Sequence, residues 1–190
     1  LFGHPPHALK PGMNVLVWGA SGGIGSMAVQ ICKAIGANAI GVISDDDKIP
    51  FVEKLGAVGV LNRKNYDCFG QLPDVKNQDE YSSFIKKCRV LGKDIWEITG
   101  KKDVDIVFEH PGESTIPVST YLVKTGGMVV ICAGTSGYNL TMDARYIWMR
   151  QKRIQGSHFA NLYQANQANE MMIQKLINPL MSECFGWDKI

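Results

Sequence analysis

The stretch Val15-Leu16-Val17-Trp18-Gly19-Ala20-Ser21-Gly22-Gly23-Ile24-Gly25 decides how this chain folds. Extended back to Met13, its first half is a short, mostly apolar run that stops at a glycine cluster, the pattern of a strand buried on both faces. Downstream, Ile24, Met27, Ala28, Ile31, Ala34 and Ile35 share one helical face, and Gly36 ends the run. A strand, a glycine turn and a helix in that order are the setting a dinucleotide fingerprint requires. On that fingerprint Ala20, Gly22 and Gly25 take the three glycine positions, with alanine in the first. Gly22 lets a pyrophosphate approach the backbone, and Gly25 lets the helix pack close to the strand. Ser21, Gly23 and Ile24 complete the loop, where unpaired N–H groups and partial positive charge await an anion.

Working outward, strands and helices alternate. Ala39 to Ile43 reads as a second strand, Asp45 to Leu55 as a helix stopped by Gly56, and Val58 to Leu61 as a third strand. Residues 62–100 interrupt the alternation with turn-rich sequence and one helical stretch from Glu80 to Ile98. They are too long for an ordinary connection and read as an insertion with its own job. Val104 to Phe108 is a fourth strand, Glu113 to Val123 a helix, and Gly127 to Cys132 a fifth strand. Ile154 to His158 is a sixth strand and Tyr163 to Ile177 a last helix. The expectation is a doubly wound parallel sheet of the Rossmann type, an α/β fold, occupying residues 1–190 as one domain.

Composition excludes several functions. The 190 residues carry 20 basic and 18 acidic side chains, a net charge of +2, which makes no electrostatic case for nucleic acid or an anionic membrane. No apolar run approaches the roughly 18 residues that a membrane span needs. The chain opens on Leu1, without Met and without the charged-then-apolar start of a signal peptide, and is expected to be a piece of a longer protein. Its five cysteines (32, 68, 88, 132 and 184) form no CxxC or Cys/His cluster, so neither a metal site nor a disulfide framework is expected. Reduced thiols in a cytoplasmic protein are the reading, with Cys32 and Cys132 as small core residues.

Rival nucleotide folds can be tested. A triphosphate loop needs Lys after its last glycine, and Ser26 stands there. Short-chain dehydrogenases need Tyr and Lys four apart, and none of the six tyrosines has Lys four residues on. A methyltransferase, whose glycine loop is similar, stays open on these residues alone. For the cofactor, the position about 20 residues past the loop that would carry an acid for NAD is Ser44. A hydroxyl can donate to a phosphate, with Lys48, Arg63 and Lys64 as countercharge, so NADPH is favoured. Asp45, Asp46 and Asp47 follow at once and are read as an N-terminal helix cap pointing to solvent.

The glycine loop resembles that of medium-chain dehydrogenases/reductases. Asp105-Ile106-Val107-Phe108-Glu109-His110-Pro111-Gly112, Thr135-Ser136-Gly137-Tyr138, Arg145-Tyr146-Ile147-Trp148-Met149 and Gly156-Ser157-His158-Phe159-Ala160-Asn161 are more specific. Together they resemble the crotonyl-CoA carboxylase/reductase family across essentially the whole chain. The resemblance implies reduction of an enoyl-CoA with NADPH and capture of CO2 on the resulting enolate, in a parent enzyme whose barrel-like catalytic domain is not in this chain. It implies that His110 belongs to a CO2 pocket. Glu109 then either orients His110 or caps the turn before the next helix. Gly134, Thr135 and Ser136 are expected to border the nicotinamide. His158 and Asn161 are read either as cofactor or substrate contacts or as turn packing, and Tyr146, Trp148 and Met149 as core or interface. The resemblance implies a CoA-phosphate contact from an arginine that relatives often carry where Trp96 stands; Lys76, Lys86, Lys87 and Arg89 are replacements or simply a solvated face. A reductase without carboxylation, a quinone reductase, and a nucleotide-binding module without activity, self-associating through its last strand, are the alternatives. A homo-oligomer is expected.

Overall fold

In a computed structural model, residues 8–181 and 183–189 are described. Six strands form one parallel sheet: β1 (Asn14–Trp18), β2 (Asn38–Ile43), β3 (Ala57–Asn62), β4 (Val104–Glu109), β5 (Val123–Ile131) and β6 (Arg153–Gly156). Their spatial order is β3-β2-β1-β4-β5-β6. That order reverses direction between β1 and β4, which opens a crevice at their carboxyl ends.

Alternation along the strands builds two cores. Val15 and Val17 of β1 face one side, where helix α1 (Gly23–Ile35) packs Ala28, Val29 and Cys32, and α2 (Ile49–Leu55) packs Val52 and Leu55. Leu16 and Trp18 face the other side, against α3 (Gln78–Thr99) and α4 (Ile116–Leu122). The predicted insertion thus has a plain structural role. Its helix α3 lays Phe84, Cys88, Leu91 and Ile95, one residue per turn, on the second face and forms the crossover from β3 to β4.

Several boundaries move, each for a local reason. No α-helix starts at Asp45; a 3₁₀ turn over Asp46–Lys48 precedes α2, because Pro50 has no N–H to give and is accommodated only in a first turn. Likewise Pro117 sits in the first turn of α4, which begins at Ile116 rather than Glu113. Strand β5 starts four residues early, at Val123, its register with β4 slipping where Gly126 turns to a φ of 72°. The last helix, α6, runs Leu162–Ile173 and stops short of Ile177 because Lys175 adopts a φ of 58°.

The two cysteines expected in the core differ. Cys32 is buried and its thiol is pushed up to about 12 by burial, whereas Cys132 is only half-buried beside the first core. Trp148 and Met149, at the end of α5 (Ala144–Trp148), are not core residues: they are 70% and 59% exposed.

If α3 is part of the core rather than an appendage, Leu91→Ala, at 0% exposure, should cost about 2–5 kcal/mol in urea unfolding. The neighbouring Val90→Ala, 56% exposed, should stay within about 0.5 kcal/mol.

Candidate functional site: a crevice at the carboxyl edge

The crevice has a volume of about 740 Å³ and is lined by the glycine loop, the ends of β2 and β3, and the turns after β4 and β5. Its geometry begins with backbone closeness. A Cβ at Gly25 would overlap the Gly19 carbonyl, so only glycine lets α1 start this near β1. Gly22 caps α1 without any side-chain hydrogen bond, and no acidic residue occupies the first turn. The first amides of a thirteen-residue helix therefore stay open to an anion.

Ser21, Gly22, Gly23, Ile24 and Gly25 line this space. Ala20 does not. It is fully buried, its N–H donates to the Val42 carbonyl and its methyl abuts Gly41, so it serves the turn rather than a ligand. The positive φ that the tight turn needs falls on Gly19, at 58°.

At the β2 edge, Ser44 and Arg63 both line the crevice, and Arg63 lies 5.2 Å from the Phe69 ring centroid. Lys48 is not among the lining residues. Its ammonium is 3.0 Å from Asp45, and Lys64 lies 2.6 Å from the other oxygen of the same carboxylate. Those lysines, with the Ser44 hydroxyl, hold the Asp45 carboxyl well below the usual carboxylate range. Asp45 is thus not a helix cap: it is neutralised by two lysines, and the trio leaves a net positive charge beside Ser44. Asp46 accepts from Asn62, and both Asp46 and Asp47 are exposed.

The turn after β4 bears on the two readings of Glu109, orienting His110 or capping the turn before the next helix, and its hydrogen bonds follow the second. Glu109 is 0% exposed, and its carboxylate accepts from Gly112 N–H at 3.1 Å, Thr115 Oγ1 at 2.6 Å and Ser119 Oγ at 2.5 Å. Burial pushes its carboxyl up, and those donors pull the other way. Ser119 also accepts from the Trp18 indole at 2.9 Å. Glu109 therefore fastens the turn into α4, and it meets His110 through that residue's backbone rather than its ring. The His110 ring instead places Nε2 3.0 Å from the Trp18 carbonyl, directly over Gly19, where a Cβ would collide with it. Burial lowers its pKa.

The β5 loop is laced to the same turn. Thr135 N–H donates to the His110 carbonyl, Ser136 N–H and Oγ both donate to the Pro111 carbonyl, and Ser136 Oγ accepts from Ser114 N–H. Thr135 and Ser136 line the crevice, while Gly134 supports their turn by accepting from Gly137 N–H. His158 and Asn161 stand apart. Both are exposed; His158 stacks on Phe159, and Asn161 caps α6 in a reciprocal bond with Gln164. Neither lines the crevice. Trp18, Gly19, Pro111 and Ser114 escaped the sequence reading because they act through backbone atoms, which no residue pattern marks.

The profile of the zinc-binding dehydrogenase family matches residues 23–177. The chain belongs to that family. It is 63% identical, over its full length, to a crotonyl-CoA carboxylase/reductase of Cereibacter sphaeroides, of which it covers 44%. Among solved structures it superposes on the crotonyl-CoA carboxylase/reductase AntE in complex with NADP at a TM-score of 0.96. There the identity is 40%, covering 100% of this chain and 47% of that one. The 2-octenoyl-CoA carboxylase reductase CinF, in complex with NADP and 2-octenoyl-CoA, superposes at 0.83 with 36% identity, covering 96% of this chain and 40% of that one. The chain thus spans less than half the length of these relatives.

The described residues contain no group of three His, Cys, Asp or Glu side chains able to hold a metal ion. No helix among them is long and apolar enough to cross a membrane. A second cavity of about 630 Å³ lies at the opposite edge of the sheet. Trp96, Arg89, Lys93, Lys124, Arg150 and Lys152 line it. Of the candidate replacements for the family's arginine only Arg89 is there; Lys76 and Lys86 are not, and Lys87 pairs with Asp67.

A folded ring that resists protonation makes stability fall with pH. Below an ordinary imidazole pKa of 6.5 the unfolded chain takes a proton that folded His110 takes less readily, so this contribution is complete above 6.5 and fades as pH drops. Glu109, raised, acts with the opposite sign from its folded pKa down to 4.5. The urea midpoint of the chain is therefore expected to fall more steeply between about pH 7 and 5 than that of His110→Asn, in which Glu109 is unchanged.

Proposed function

We propose that the chain is the cofactor-binding domain, residues 1–190, of an NADPH-dependent enoyl-CoA carboxylase/reductase. The observation that carries the reading is the open, uncapped start of α1 beside a crevice edged by Ser44 and Arg63. NADP in the matching relatives AntE and CinF, and 2-octenoyl-CoA in CinF, support it.

The chain's own residues have defined tasks. Amides of Ser21, Gly23, Ile24 and Gly25 hold the pyrophosphate by hydrogen bonds and the partial charge of α1, while the Gly22 N–H stays on the Gly19 carbonyl. Ser44 turns its hydroxyl from Asp45 to donate to the 2′-phosphate, and Arg63 supplies the charge that Lys48 and Lys64 spend on Asp45. Thr135 and Ser136 border the nicotinamide, held in place by the Pro111 turn. When bound, NADPH supplies a hydride to the β-carbon of the enoyl thioester. Carboxylation then requires that water be kept from the resulting carbanion so that it attacks CO2, in a pocket to which His110, on the crevice wall, contributes.

The remaining parts of the reading are of the same kind. Its thiols are free, as a reducing cytoplasm would keep them. Exposed Phe159, Leu162, Tyr163 and Ile173 beside the edge strand β6 support a homo-oligomer.

Calorimetry tests the phosphate assignment. The chain should prefer NADPH to NADH, and Arg63→Ala should weaken NADPH by about 10–100-fold while leaving NADH nearly unchanged, as loss of one charged hydrogen bond implies. An equal loss for both cofactors would contradict it. In the complete enzyme, labelled CO2 should appear in the saturated acyl-CoA product; an unlabelled product would make the enzyme a reductase only.

A further inference from the structure

We infer that Phe69, in the arm that follows β3, is a positioning residue for Arg63 and thereby sets how strongly the crevice prefers a dinucleotide carrying the extra 2′-phosphate. The cofactor half of this inference rests on the NADPH reading of the crevice; the seating of Arg63 on the ring does not.

The guanidinium carbon of Arg63 stands over the Phe69 ring, 5.2 Å from its centroid. At that distance the cation is drawn to the electron-rich face of the ring. Such a contact uses the flat face of the guanidinium and leaves the N–H donors that radiate in its plane to an oxyanion. A carboxylate partner acts differently: it occupies donors and cancels charge, as Asp45 does with Lys48 and Lys64. The ring therefore fixes the arginine while keeping what a phosphate needs. A long side chain loses rotamer freedom when it binds, and one already held loses less.

The ring is itself held. Phe69 is half-buried against the second core, where the Trp18 indole meets it edge-on at 5.7 Å between centroids. Trp18 in turn donates from Nε1 to Ser119 Oγ at 2.9 Å. The chain is fastened on both sides of Phe69. Tyr66 Oη donates to the Asp94 carboxylate of α3 at 2.6 Å, and Cys68 is buried in the second core with Cys88 of α3. Gly70 N–H donates to the Ser114 carbonyl at 2.8 Å. Ser114 follows β4 and, like Arg63, lines the crevice. Residues 66–70 thus bridge α3 to the crevice rim, with Phe69 between the anchors.

The competing role for Phe69 is to fill space beside the second core. That role is blind to the cofactor, because NADPH and NADH differ only in the phosphate. An effect confined to NADPH therefore reports on the cation that meets the phosphate, and through it on the ring beneath.

Calorimetry of the chain with each cofactor tests the inference in Phe69→Leu, Phe69→Tyr, Arg63→Ala and the Phe69→Leu/Arg63→Ala double variant. Phe69→Leu should weaken NADPH by about 3- to 30-fold, the range of one cation–π contact, and leave NADH within about twofold. Phe69→Tyr keeps the ring and should keep NADPH affinity within about twofold. Once Arg63 is alanine, Phe69→Leu should change NADPH binding no further. Equal weakening of both cofactors by Phe69→Leu would overturn the inference, as would equal loss in the leucine and tyrosine variants or an undiminished effect without Arg63. Proton NMR reads the seating with no cofactor and no change at Phe69: ring current should place the Arg63 side-chain signals, assigned by their loss in Arg63→Ala, upfield of free arginine. Signals at the free-arginine positions would overturn it. The two claims fail separately. Upfield signals in a chain that binds NADPH no better than NADH defeat the cofactor reading and leave the seating. A preference for NADPH that Arg63→Ala abolishes and Phe69→Leu leaves untouched defeats the inference alone.

Discussion

The closeness of α1 to β1 is the constraint on which the rest depends. Gly25 meets the Gly19 carbonyl where no side chain fits, and Gly19 turns with a positive φ to leave space for an imidazole above it. From that contact follow an uncapped helix start, a crevice at the sheet reversal, and a fixed seat for His110. A methyl group at either glycine would force strand, helix and ring apart together.

Around this contact the protein separates its charges by task. Asp45 is neutralised by Lys48 and Lys64 at the β2 edge, which leaves Arg63 as the cation on the crevice wall there. Glu109 is held out of the crevice by hydroxyls and an amide of the following turn. A buried carboxylate is tolerable only with such partners, and each of them also ties α4 to the end of β4. The same network reaches the Trp18 indole, so the residue that orients His110 is anchored from the opposite face of the sheet.

Much of this was legible in the residues themselves. Apolar runs and glycine stops marked all six strands, and the turn after Trp18 marked the nucleotide edge. What resisted reading was decided by backbone chemistry. Pro50 and Pro117 shifted helix starts because they lack an N–H, and Lys175 ended α6 by adopting a left-handed φ. For Glu109 the residues left two readings open, orienting His110 or capping the following turn; neighbouring residues on a strand point to opposite faces, and the carboxylate went with α4. His158 and Asn161 carried chemistry by residue type but lie on exposed backbone after β6, where Asn161 found its use as a helix cap.

The most direct measurement is a crystal structure of this chain with NADPH bound. The account places the pyrophosphate on the amides of Ser21, Gly23, Ile24 and Gly25 and the 2′-phosphate between Ser44 and Arg63, with the nicotinamide beside Thr135. Density for the dinucleotide elsewhere, or side chains filling the loop in its presence, would contradict it.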